Sequence, residues 1–197
     1  KRMREWIESR EELLERGRGP VPVITPSSGN KEALAGHPRN SMVSGTDLAG
    51  AAAFGTAFHR LMELIEFDNI GGLERLTELV AVEYGIEGRR DELAGLVRKT
   101  LDSELMGRIL SSDRRMREVP FTVPLRPGPV PGSGRYLSGK IDLLFHYEGV
   151  WAAVDYKTDN INDPEERMAD YIPQGAMYMA GMKVLGIDLT GGVVFYF

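Results

Sequence analysis

Cysteine is absent from this 197-residue chain. That excludes disulfides, thiolate zinc sites and cysteine-held iron–sulfur clusters. Long apolar runs are absent as well, none approaching the roughly 18 residues that a membrane helix needs. The opening stretch, KRMREWIESREELLERGR, is charged and helical rather than signal-like, so the chain reads as cytoplasmic. Histidine is scarce, three in all, which leaves no material for the histidine-rich ligand set of a zinc hydrolase. A basic excess is also missing. The net charge of −5 argues against a stand-alone nucleic-acid binder, because phosphate neutralisation supplies most non-specific affinity. It leaves room for an enzyme whose metal-binding carboxylates are themselves acidic.

A hydrophobic content of 42% suffices for a sizeable core, in one large domain or one domain with a helical insertion. The chain starts without methionine and stops inside an apparent strand, GGVVFYF, so it reads as a piece of a longer polypeptide. Residues 1–16 are expected to form a charged helix, and residues 17–45, rich in Gly, Pro, Ser and Asn, an irregular connection. Asp47 is expected to cap a helix from about Leu48 to Phe67, with Phe54, Phe58, Leu61 and Ile65 at helical spacing. Two more helices fit residues 71–84 and 88–110. The period then switches to two in REVPFTVPL, where Pro120 and Pro124 demand an edge strand or an irregularity. PGPVPGSG reads as a loop. Asp163-Pro164 opens a helix that Pro173 is expected to break and restart, before a last strand over residues 192–197. Arg89-Arg90, Arg98-Lys99 and Arg114-Arg115 have acidic neighbours and read as solvated surface.

Chemistry concentrates in GKIDLLFHYEGVWAAVDYKTD, residues 139–159. Two apolar runs flank Glu148-Gly149, the pattern of a β-hairpin. If Tyr147 pairs with Val150, Asp142 stands opposite Asp155; a three-residue loop would instead send Asp142 to the other face. Asp155 and Lys157 share a face, and Tyr156 takes the opposite one. Directly opposed residues have Cβ atoms about 4.5–5.5 Å apart, and like charges there repel. A divalent cation would resolve that repulsion. Lys140 opposite Lys157 is equally compatible with a solvated, mixed-charge sheet face.

Other residues bear on this hairpin. His59 lies on the first long helix, four residues before Glu63; taken alone it is an ordinary structural histidine. Glu118 precedes the alternating strand. Gln174 and Tyr178 are four apart, hence on one helix face. The segment from Gly134 to Lys140 imitates a phosphate-binding P-loop, but Ile141 has no hydroxyl and a strand follows where a helix is required. ATP binding by this segment is excluded.

In order along the chain, GTAFHRLME with His59, EVPF with Glu118, GKID with Asp142, VDYKTD with Asp155 and Lys157, and QGAMY with Gln174 and Tyr178 resemble the RecB-like branch of the PD-(D/E)XK nucleases. The likeness is to the C-terminal nuclease domain of AddA- and RecB-type helicase–nucleases. It covers about residues 45–197, with Ile141 in place of the nominal proline. The lack of cysteine separates the chain from the iron–sulfur members. The resemblance implies an α/β, restriction-endonuclease-like mixed sheet flanked by helices, with an N-terminal helical module. Residues 1–44 would be charged helix and linker, 45–116 the module carrying His59, and 117–197 the nuclease core, the last two forming one nuclease domain.

By the same resemblance, His59, Asp142, Asp155 and the backbone carbonyl of Tyr156 hold Mg²⁺ or Mn²⁺, a choice that oxygen-rich ligation favours. Asp142, Asp155 and Lys157 form the catalytic set, and Glu118, Gln174 and Tyr178 support it or contact DNA. The implied activity is that of a metal-dependent deoxyribonuclease, exo- or endonucleolytic. It would process single-stranded or duplex DNA ends in double-strand-break and recombinational repair, in a bacterial or archaeal cytoplasm near the nucleoid. Implied partners are DNA, a helicase domain on the same polypeptide and a second nuclease or helicase subunit; no membrane is involved. The alternative is a degenerate nuclease fold kept for DNA binding or assembly. The intact set of His59, Asp142, Asp155 and Lys157 argues against it.

Overall fold

A computed structural model describes residues 23–25, 45–126, 135–158 and 164–196. The helix expected over residues 1–16, the PGPVPGSG loop and Asp163 lie outside them. One mixed sheet holds β1 (Val23–Ile24), β2 (Arg114–Arg126), β3 (Arg135–Tyr147), β4 (Val150–Tyr156) and β5 (Val193–Tyr196). The long β3 organises it. It runs antiparallel to β2 along one side; on the other it pairs parallel with β1 through Tyr136 and Leu137, and antiparallel with β4 through Leu143 to Tyr147. β5 adds to β4 in parallel. Val23–Ile24 therefore corrects the expectation of wholly irregular chain over residues 17–45: these β-branched residues satisfy their backbone against β3. The strand from Arg135 also closes the P-loop question, since the segment is extended.

The hairpin has the expected register. Tyr147 pairs with Val150, and Glu148 (φ 50°) and Gly149 (φ 83°) both adopt the positive φ that a two-residue type I′ turn requires. Pro120 and Pro124 are tolerated because β2 pairs only with β3 among the described residues, and the register shifts between Pro124 and Arg126.

Helices cover both faces of the sheet. The first, α1 (Gly45–Leu64), begins earlier than expected, so Asp47 falls inside its first turn. Phe54, Ala57, Phe58, Leu61 and Met62 bury its inner stripe. α2 (Leu73–Glu83) follows the expected span, but residues 88–110 form two helices, α3 (Arg90–Leu101) and α4 (Glu104–Leu110). The break comes from Ser103, whose hydroxyl accepts the Met106 N–H and starts a new helix. Phe58, Leu93, Val97 and Met106 pack with Leu143, Phe145 and Val154 on this face.

The opposite face is covered by α5 (Pro164–Val184), which continues through Pro173 rather than breaking there. Proline costs one helical hydrogen bond and crowds the carbonyl four residues back. Tyr171, Gln174, Tyr178 and Met182 nevertheless form one buried stripe across it, so packing outweighs the local preference. Arg89 pairs with Glu92 at 2.6 Å and Arg90 with Asp91 at 2.8 Å, as expected of solvated surface. No helix among the described residues is long and apolar enough to cross a membrane.

One irregularity places the site. Ile141 packs in the α5 core, yet Leu143, two residues on, packs in the core under α1. Across the ladder Val119 packs on the α5 side, while Arg117 donates to the Met62 and Ile65 carbonyls of the α1 side. Both strands thus exchange faces between these residues, at Glu118 and Asp142. Glu118 carries the cost, with φ 51° in a region that non-glycine residues seldom occupy.

Close packing of α5 on β2 runs through Gly181, where an added Cβ would stand 2.5 Å from the Phe121 ring. Phe121 is 4% exposed and edge-on to Tyr178, so it cannot swing aside. Gly181→Val should destabilise the fold by about 1–3 kcal/mol, the usual effect of overpacking. Urea unfolding would measure it; an unchanged midpoint would mean that α5 does not seat as described.

Candidate metal and active site

The strand switch opens onto a cleft of about 530 Å³ walled by His59, Asp142, Asp155, Lys157, Gln174 and Tyr178. α1 brings His59 to it. Gly55, one turn earlier, lets that helix pass the end of β4, since a Cβ there would lie 2.8 Å from Thr158 Oγ1. Arg117 fixes the far end of α1 by binding its last carbonyls, where the helix itself has no basic residue. Sequence reasoning missed both Gly55 and Arg117. The first could have been suspected from glycine four residues before the histidine; the second has no local signal.

His59 Nδ1 lies 3.2 Å from Asp142 Oδ1, and Asp142 Oδ2 accepts the Tyr156 N–H at 2.8 Å. The β3–β4 ladder ends at Leu143–Val154, so the Asp142 side chain takes over where main-chain pairing stops. His59, Glu118 and Asp142 each offer one ligand atom within 4.8 Å of the other two. Lys140 pairs with Glu118 rather than standing idle on a solvated face.

Asp155 sits deeper. Its Oδ1 accepts from the Tyr178 hydroxyl at 2.8 Å and from Gln174 Nε2 at 2.9 Å. Its Oδ2 is buried and outside hydrogen-bond geometry, with Lys157 Nζ 2.5 Å away as an ion pair. Gln174 Oε1 accepts from Lys157 Nζ at 3.0 Å, and Gln174 Nε2 also donates to Tyr178 at 2.8 Å. One amide therefore ties the lysine, the aspartate and the tyrosine together. Tyr156 packs the other way, edge-on to Phe58, His59 and Tyr196.

The electrostatics favour a cation. Burial opposes charge on His59, but the hydrogen bond and charge of Asp142, with Asp155 and Glu118 behind it, win and hold the imidazole above its ordinary range. Burial pushes the Asp155 carboxyl up; Lys157 counters this, and the charge of Asp142 adds to it. Burial, reinforced by Asp155, also raises the Tyr178 hydroxyl, which stays a donor at neutral pH.

The sequence profile of the PD-(D/E)XK nuclease superfamily matches residues 33–197. The chain belongs to this superfamily. Its RecB-like character follows from two relatives, both of them the AddA-type component of an ATP-dependent helicase/nuclease. That of Streptococcus sanguinis is 29% identical over 135 residues, 67% of this chain and 11% of the relative. That of Heliobacterium modesticaldum is 27% identical over 160 residues, 72% of this chain and 12% of the relative. The chain thus spans about a tenth of the length of the curated relatives it matches.

Nucleases of this superfamily use divalent metals, and this domain carries donors that fit one. The imidazole and two carboxylates of His59, Glu118 and Asp142 suit a hard or borderline cation, and the under-satisfied Asp155 Oδ2 lies in the same cleft. The expectation gave Glu118 a supporting role; the geometry puts its carboxylate among the ligand atoms. Asp142→Asn keeps an oxygen for the Tyr156 N–H but removes a charge. Calorimetry should lose the Mn²⁺ heat of the unaltered chain, while the metal-free melting temperature holds or rises as repulsion falls. Full Mn²⁺ affinity in Asp142→Asn would remove this residue from the ligand set.

Proposed function

We propose that this nuclease domain hydrolyses DNA phosphodiester bonds with Mg²⁺ or Mn²⁺ held by His59, Asp142, Asp155 and the Tyr156 carbonyl, with Glu118 as a further ligand. The observation that carries this reading is the convergence of the His59–Glu118–Asp142 trio and the Asp155–Lys157 pair on one cleft. A divalent ion there would polarise the phosphate and lower the pKa of an attacking water. Lys157 stands beside that position with an ammonium that can face the scissile phosphate or orient the water. Gln174 and Tyr178 keep Asp155 and Lys157 in register. Carboxylates fixed before substrate arrives need no reorganisation in the transition state, which is where such sites gain most.

Residues 45–116 and 117–197 act in this reading as one nuclease domain, because His59 comes from the first and the other ligands from the second. The helicase/nuclease relatives support a place beside a helicase, on DNA ends in break processing and recombinational repair, in the cytoplasm. The acidic balance of the chain agrees with strong DNA capture residing elsewhere in such an assembly.

Incubating the 197-residue chain with single-stranded DNA and Mg²⁺ tests the reading. Cleavage should appear with metal and vanish with chelator; metal binding without cleavage would favour a degenerate, DNA-binding fold. Lys157→Ala should retain metal yet lose about 10²–10³-fold in single-turnover rate, the scale on which transition-state charge stabilisation operates. Tyr178→Phe should be milder, at roughly 10-fold, in the manner of residues that orient others. The reverse order would remove Lys157 from its assigned role. His59→Ala should lower cleavage and metal affinity together while hardly changing thermal stability, since the ring is partly exposed. Normal cleavage by that variant would make His59 purely structural.

A further inference from the structure

Lys157 is held by more than its two polar partners. Its ammonium lies 4.5 Å from the centroid of the Tyr171 ring and 5.6 Å from that of Phe195. The two rings stack, with centroids 5.3 Å apart and planes at 27°. Tyr171 is 7% exposed and Phe195 9%, so this is a buried floor rather than surface contact. It is built from separate elements. Tyr171 comes from α5, one turn before Gln174, and Phe195 from β5, where it pairs in register with Asp155. Gly175 leaves room for Phe195 to reach the helix, since a Cβ there would meet its ring at 3.4 Å.

We propose that Tyr171, backed by Phe195, is a positioning residue that sets the Lys157 ammonium against the cleft. A lysine stem has several rotatable bonds and about 2 kcal/mol of rotamer entropy, so two polar contacts leave it free to pivot. Asp155 Oδ2 alone would draw Nζ onto itself, away from any substrate. An aromatic face attracts the cation from a third direction, by an interaction that strengthens when water is excluded. Carboxylate, amide oxygen and ring then close three sides, and the side left open is the cleft that Lys157 lines. Phe195 keeps the Tyr171 ring from tilting.

The consequence for rate rests on the nuclease reading; the placement of the lysine does not. Two measurements on the 197-residue chain therefore separate them. In chain carrying ¹³Cε-lysine, the Lys157 methylene resonance should show an upfield ring-current shift. Tyr171→Leu should return it toward the position of free lysine, and Tyr171→Phe should keep it. Single-turnover cleavage of an oligonucleotide at saturating Mn²⁺ should fall about 10-fold in Tyr171→Leu, with Mn²⁺ affinity unchanged, and stay within about 3-fold in Tyr171→Phe. Phe195→Leu, which keeps the ring and removes its backing, should be intermediate in both. Combined with Lys157→Ala, Tyr171→Leu should add no further loss. An unmoved resonance, or equal rates in the Leu and Phe variants, would overturn the proposal while the nuclease reading stood. A ring-current shift in a chain that never cleaves DNA would end both the nuclease reading and the catalytic role given to Tyr171.

Discussion

Asp142 and Asp155 are 7% and 4% exposed, and their charge has to be answered from within the protein. Burying an ion costs several kcal/mol unless partners and hydrogen bonds compensate. Each carboxylate is met by groups from different parts of the chain. Asp142 has His59 from α1 and a main-chain N–H from β4. Asp155 has Lys157 from its own strand end and Gln174 and Tyr178 from α5. Glu118 has Lys140 across the β2–β3 ladder. Even so, Asp155 Oδ2 remains short of a hydrogen bond, and the field raises both His59 and Asp155. Negative charge is in excess here, which is the electrostatic condition for holding a cation.

The backbone is arranged around that excess. An ordinary strand pair would put Glu118 and Asp142 wholly on one face and separate them from either α1 or α5. By exchanging faces there, β2 and β3 present polar side chains to the seam between two apolar cores. His59 can then approach from one face, and Gln174 with Tyr178 from the other. The positive φ at Glu118 is the strain that this geometry carries, and it falls on a residue whose carboxylate lies among the candidate ligands. Arg117 beside it anchors α1, so one short stretch of β2 both turns the strand and locates the histidine helix.

The same economy extends to α5. One buried stripe carries Tyr171, Gln174, Tyr178 and Met182, so the residues that order Lys157 and Asp155 also cement the helix to the sheet. Pro173 survives in the middle because losing the stripe would cost more than losing one hydrogen bond. An acidic chain with paired surface arginines gives such a site little general attraction for nucleic acid. Affinity would then come from the ion in the cleft and from whatever delivers the strand to it.

Period and turn chemistry were enough to read the hairpin from the residues. Glu148-Gly149 forces the turn, and the turn fixes the register that carries Asp142 alongside Asp155. The i, i+4 spacing placed Gln174 and Tyr178 together, and family order placed His59, Asp142, Asp155 and Lys157 in one domain. Other features were invisible because they depend on contacts between distant segments. Nothing local marks the face exchange at Glu118, the docking of Arg117 on α1, or the pairing of Val23–Ile24 with β3. Nor does local preference foretell that α5 passes through Pro173, or that Tyr171 and Phe195 meet beneath Lys157. Propensity and spacing act over a few residues, and they set the elements and their inner faces. Which carboxylate meets which cation is decided only when those faces pack, because burial is what turns a charge into a constraint.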